Sequence, residues 1–150
     1  MAKTVHWETV ELAFPSSLEY LPLVNAVAEE VADRLGVERE TRDAIDSSVI
    51  EACTNAIEHG NKKDRTKEVR IRFRTNGRTI EIEVSDQGEG FDPAAVKDPR
   101  RPENLMRERG RGIFILRAFM DEVQFRVEPS RGTTVRLVKR LAKAASGGGA

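Results

Sequence analysis

The stretch "KEVRIRFRTNGRTIEIEVSD", Lys67 to Asp86, limits the possible folds more than any other part of the chain. Val69, Ile71 and Phe73 alternate with charged residues, and Ile80, Ile82 and Val84 do so on the way back. Alternation with period two sends successive side chains to opposite faces of a strand. Asn76-Gly77 between the two runs predicts a type I′ turn, because both residues tolerate positive φ. The stretch therefore reads as an antiparallel hairpin with one apolar and one charged face. Its apolar face needs a second layer to cover it.

The flanking sequence supplies that layer. "ETVELAF" places Val10, Leu12 and Phe14 on one side of a half-buried strand. Leu21, Val24, Ala28, Val31 and Leu35 recur at helical spacing, and Gly36 closes that helix. A second helix is predicted from about Glu38 to His59, with Gly60 as its stop. After the hairpin come "DQGEGFDP" and a polar segment from Ala94 to Arg109. "GIFILRAFMDEV" then reads as an apolar helix. "VQFRVEP", a turn at "SRG" and "TTVRLVKR" form a closing hairpin. Strands arrive in hairpins and helices are segregated, which predicts an α+β two-layer sandwich with a mostly antiparallel sheet. The chain reads as one domain over residues 1–140 and a flexible tail over 141–150.

Bulk properties narrow the function. Lys plus Arg equal Asp plus Glu, 25 against 25, so net charge gives no reason to expect direct nucleic-acid binding. No apolar run reaches membrane-spanning length, and the N-terminus has no signal-peptide core, so a cytoplasmic protein is expected. Cys53 is the only cysteine, which rules out an internal disulfide and suits a reducing compartment. With only two histidines, His6 and His59, a Cys/His zinc site is not expected.

"IEACTNAIEHGN", Ile50 to Asn61, is the unusual helix. With Glu51 at zero, Asn55 falls at roughly +40°, Glu58 near −20° and His59 near +80° at 100° per residue. Ile45, Val49, Ala52, Cys53 and Ala56 cluster on another side. Taken alone, the polar stripe is an ordinary solvated face. Two glycine clusters give it another use. "DQGEG" sets Asp86, Gly88 and Gly90 straight after a strand, where a carboxylate can accept from an amino group and a flat ring can approach bare backbone. "GRG" sets Gly110, Arg111 and Gly112 at a helix start, where free N–H groups and the helix dipole favour phosphate. Neither cluster matches G-x-x-x-x-G-K-[ST] or G-x-G-x-x-G. The order E-x-x-x-N, D-x-G-x-G, G-x-G, then "GTT" entering the last strand, is the specific signal.

In those four pieces the sequence resembles the GHKL ATP-binding superfamily, whose fold is the Bergerat sandwich. Within it, the sequence is most similar to the small anti-sigma factor serine-protein kinases of the RsbW and SpoIIAB type. The resemblance runs from about Phe14 to Leu137. It implies a mostly antiparallel mixed sheet with about three helices on one face, and binding of ATP or ADP with Mg²⁺. It assigns Asn55 to Mg²⁺ and Glu51 to the general base. Asp86 would hold the adenine amino group, Gly88 and Gly90 would line the base, and Thr133 would lie near it. Gly110, Arg111 and Gly112 would approach the phosphates, and Lys97 to Arg109 would form a lid. His59 would support the helix end. Cys53, by its place on the apolar side of the helix, is expected to be a small core residue. The implied protein is a homodimer. It phosphorylates an anti-anti-sigma (STAS-domain) partner and binds a sigma factor. The alternative is a nucleotide-gated protein-binding module of the same fold without efficient phosphotransfer.

Overall fold

The computed structural model describes residues 6–88, 112–128 and 130–141. Within them the elements follow as β1 (Glu8–Pro15), α1 (Leu21–Leu35), α2 (Arg39–Asn55), β2 (Glu68–Thr75), β3 (Thr79–Ser85), α3 (Gly112–Phe119), β4 (Glu122–Glu128) and β5 (Gly132–Arg140). The strands form one sheet in the order β1-β2-β3-β5-β4. All pairings among the described residues are antiparallel, with no parallel pair to make the sheet mixed. Gly90, Gly110, Arg111, the lid Lys97–Arg109 and the tail from Ala142 lie outside the described residues.

The period-two pattern decides which face is which. Val69, Ile71, Phe73, Ile80, Ile82 and Val84 are all buried. They meet Val24, Ala28 and Val31 of α1 and Ile45, Val49 and Cys53 of α2 in one core. Burying each such aliphatic side chain stabilises the fold by about 1.5–3 kcal/mol relative to exposure. The other face carries charge in cross-strand register. Arg72 pairs with Glu83 at 2.7 Å, and Glu81 takes Arg74 at 3.3 Å and Arg136 at 2.5 Å. Exposed pairs of this kind contribute little singly, but opposite charges placed directly across favour the observed register. Helix α1 stops as expected, with Gly36 in the left-handed conformation at φ 61°.

Four sequence expectations shift. The hairpin turn is centred on Gly77-Arg78, because Thr75 pairs with Ile80. Only Gly77 has positive φ, at 88°, which is the sign pattern of type II′ and not I′. Asn76 instead uses Oδ1 to accept the Arg78 and Thr79 N–H groups, each at 2.9 Å. Second, α2 ends at Asn55, and Ala56–Gly60 follow as a π-helical turn closed by the Asn61 N–H to Ala56 O bond at 2.8 Å. Third, α3 ends at Phe119 and does not continue through "MDEV", because Glu122 and Val123 pair with β5. Its Phe114 is 59% exposed, so it is not apolar on all sides for burial. Fourth, Val10 is 48% exposed, whereas Phe14 is buried against Tyr20. β1 is an edge strand, and the helical layer closes over only its far end.

Between α1 and α2 one carboxylate is poorly placed. Asp46 Oδ1 is buried and takes no hydrogen bond among the described residues. Burial first, then the nearby charges of Glu29 and Asp43 against the opposing Arg42, push its pKa from 3.8 to about 6. A raised folded pKa favours the protonated form. Its stabilising contribution is therefore complete below about 3.8 and lost as pH rises through about 6. Asp46→Asn should raise the melting temperature at pH 7 to 8, with the gain vanishing below about pH 4. Thermal melts across that range check it; a gain independent of pH would show that Asp46 titrates normally.

Candidate active site

Two clusters meet at the C-terminal end of α2. The first is Glu51 with Asn55, one turn apart. Asn55 is only 5% exposed and Glu51 is half-buried. The start of α3 lies directly on them: a Cβ at Gly112 would collide with Glu51 Oε1 and come within 2.8 Å of Asn55 Nδ2. A side chain there would have to push the Glu51 carboxyl aside. Partial burial raises the pKa of the Glu51 carboxyl, helped by Glu58 and opposed by His59. His59 therefore acts on Glu51 electrostatically, although its side chain is exposed.

The second cluster surrounds Asp86, which is 8% exposed. Its Oδ1 accepts the Gly88 N–H at 3.0 Å and the Thr133 N–H at 3.1 Å. Its backbone N–H donates to Thr133 O at 3.0 Å. Oδ2 takes no hydrogen bond among the described residues and packs against Gly60. Backbone packs tightly around this carboxyl. A Cβ at Gly60 would strike the Asp86 carboxyl, one at Gly88 would strike the Gly60 carbonyl, and one at Gly132 would strike the Asp86 carbonyl.

One small pocket joins the clusters, lined by Ala52, Asn55, Ala56, Asp86, Leu116 and Thr133, with Val84, Phe125 and Val135 behind. Its volume is about 10 Å³, room for one water. A groove of about 720 Å³ lies at the other end of α2, between Glu38–Ala44 and Phe119 with Arg140, and holds none of these groups. Among the described residues no three His, Cys, Asp or Glu side chains converge as a metal cage. The available oxygen donors are the Asn55 amide and the Glu51 carboxylate. Such a pair fits Mg²⁺, which takes one or two protein ligands and fills its shell with phosphate and water. Cys53 is fully buried, and burial pushes its thiol up to about 12, which leaves it inert.

Residues 14–139 match the family described as the histidine kinase-like ATPase domain. The chain belongs to this family. Within the family, it is similar to the serine-protein kinase RsbW of Bacillus licheniformis, 33% identical over 138 residues, 88% of this chain and 85% of that protein. Solved structures share the fold. The RsbU and RsbW domains of Rv1364c from Mycobacterium tuberculosis superpose with a TM-score of 0.65 at 17% identity, over 91% of this chain and 33% of that one. The SiaB–SiaC complex of Pseudomonas aeruginosa gives 0.62 at 14% identity, over 86% and 88%. No helix among the described residues is long and apolar enough to cross a membrane.

Of the residues singled out from sequence, Glu51, Asn55 and Gly112 come together, as do Asp86, Gly88 and Thr133. Sequence reasoning took Gly60 only as a helix stop, and it gave no separate part to Gly132, inside "GTT", or to Asn61, at the end of "IEACTNAIEHGN". The only local signals were a Gly-Asn pair after His59 and an Arg-Gly before "TT". Gly60→Ala, forced against Asp86, should cost about 1–3 kcal/mol, as overpacking typically does. Urea unfolding checks this, and an unchanged midpoint would show that the backbone there has slack.

Proposed function

We propose that the protein is an ATP-dependent serine/threonine-protein kinase and anti-sigma factor. It would act in the cytoplasm as a homodimer, phosphorylate a small anti-anti-sigma protein of the STAS class and bind a sigma factor. The relatives' name, serine-protein kinase RsbW, supports the activity. The observation that carries the reading is the pairing of Glu51 and Asn55 beneath Gly112, with Asp86 across the same pocket. The exposed edge strand β1 supports self-association, since unpaired edges invite a second strand.

Each residue has a part that its surroundings suit. Asp86 Oδ2 accepts from the adenine amino group, while its Oδ1 stays tied to backbone. Thr133 and Gly88 border the base. The first turn of α3 at Gly112 offers N–H groups to phosphate. Asn55 holds Mg²⁺, which when bound neutralises charge on the phosphates. Glu51 takes the proton from the partner's serine or threonine hydroxyl. The hydroxyl oxygen bonds to the γ-phosphorus, and ADP leaves with the electrons of the broken P–O bond. A carboxylate with a raised pKa is a better base near neutral pH than an ordinary glutamate.

Glu51→Gln keeps its shape against Gly112 but loses the base, so phosphotransfer should fall about 10²–10⁴-fold with nucleotide affinity nearly unchanged. The acid limb of the wild-type pH–rate profile should lie above the ordinary glutamate value of 4.5. Transfer of labelled phosphate to a purified STAS partner measures both. Equal rates in wild type and variant would reject Glu51 as base, and nucleotide binding without any transfer would leave a nucleotide-gated binding module. Asp86→Asn should weaken ATP and ADP binding more than any other single change in the pocket, because an amide is a weaker acceptor and adds a competing donor. Calorimetry giving the variant wild-type affinity would move the adenine site elsewhere.

A further inference from the structure

Asn61 joins three distant segments of chain and touches none of the groups assigned to chemistry above. It follows the wide turn that ends α2 and is 1% exposed. Its Oδ1 accepts the Gln87 N–H at 2.7 Å. Its Nδ2 donates to Ser16 Oγ at 2.6 Å and to the Glu68 carbonyl at 2.9 Å. Ser16 is anchored in turn on the Lys67 carbonyl, by its N–H at 3.1 Å and its Oγ at 2.9 Å. The Gln87 side chain closes the circuit, with Oε1 accepting the Glu68 N–H at 2.6 Å.

The bond to Gln87 falls where it matters for Asp86. The Gln87 N–H belongs to the peptide plane that joins it to Asp86. That plane is held on both edges. Asn61 Oδ1 holds its N–H, and its carbonyl packs against Gly132, where a Cβ would not fit. Turning the plane would swing the Asp86 side chain relative to the pocket. The pairing of Asp86 with Thr133 secures the strand side of the loop, and Asn61 secures the other side.

The geometry points to Asn61 as a positioning residue for base recognition: it locks the Asp86–Gln87 peptide, and with it the Asp86 side chain that lines the pocket, and so sets nucleotide affinity and base preference without touching the nucleotide. This inference rests on the nucleotide reading above. A lone carboxylate oxygen favours a ring that presents an amino group, as in ATP, over one that presents a carbonyl, as in GTP. The discrimination depends on the oxygen being held still.

Asn61→Ala and Asn61→Asp separate positioning from plain stability. The aspartate keeps an oxygen toward the Gln87 N–H and loses both donors, whereas the alanine loses everything. Both should lower the melting temperature. Only Asn61→Ala should weaken ATP binding about tenfold or more, with Asn61→Asp staying within about threefold. Asn61→Ala should also reduce the preference for ATP over GTP and speed amide exchange at Gln87. Its rate at saturating ATP should persist, since Glu51 and Asn55 are untouched. If Asn61→Ala does not fold, Asn61→Ser is too short to reach Gln87 and leaves room for a water, so it serves in its place. Calorimetry with ATP and GTP on the full chain, below the melting range, gives the answer. Wild-type binding with an unaltered ATP-to-GTP ratio in the alanine or serine variant would overturn this role alone. A wild type that binds neither nucleotide would overturn the nucleotide reading and this role with it.

Discussion

Asp86 is a carboxylate that must be buried and still satisfied. Removing an ionised carboxylate from water without partners costs many kcal/mol, so it needs fixed donors. The chain meets this with two backbone N–H groups on one oxygen, from Gly88 and Thr133. Donors on adjacent backbone can come so close only if nothing projects from it. Hence glycine stands at 60, 88 and 132, each within reach of Asp86 or of the others. The end of α2, the loop after β3 and the start of β5 are thereby drawn to one point. The π-helical turn at Ala56–Gly60 fits the same demand, since a wider last turn carries Gly60 onto the carboxyl.

The sheet makes this convergence stable. Its apolar face is sealed by α1 and α2, and its other face carries ion pairs whose members alternate across β2, β3 and β5. Trp7 adds a ring 5.0 Å from the Arg74 guanidinium at the edge. A slip of one residue would send the arginines into the core and the isoleucines to water, so register is strongly specified. Asp86 and Thr133 stand just past or at the ends of paired strands, and that register decides that they meet.

Much of this was legible in sequence because it depends on local periodicity. The β2–β3 hairpin, the stop at Gly36 and the order of elements follow from spacing and from residues with restricted or permissive φ. The errors fall where two local preferences compete. Asn76-Gly77 is a good type I′ pair, but Asn76 is used as a side-chain acceptor and the turn moves one residue on. "GIFILRAFMDEV" has helical spacing throughout, but Glu122 and Val123 gain more by pairing with β5. Val10 alternates correctly yet lies on an edge strand beyond the reach of the helices.

For the candidate site the division is similar. Sequence alone determined that Glu51 and Asn55 share one line on a helix, since that follows from a 3.6-residue turn. It also determined that a carboxylate with two glycines follows a hairpin, and that a glycine opens the third helix. Only the tertiary structure decided that Asn55 and Asp86 line one pocket, that Gly112 rests on Glu51, and that Gly60 and Gly132 pack against Asp86. Only there does Asn61 acquire its three bonds, to residues 7, 26 and 45 positions away. Spacing along a chain is read from the periodicity of a single element. Contact between elements is set by how their faces pack, and a residue whose partners are that distant carries no local sign of them.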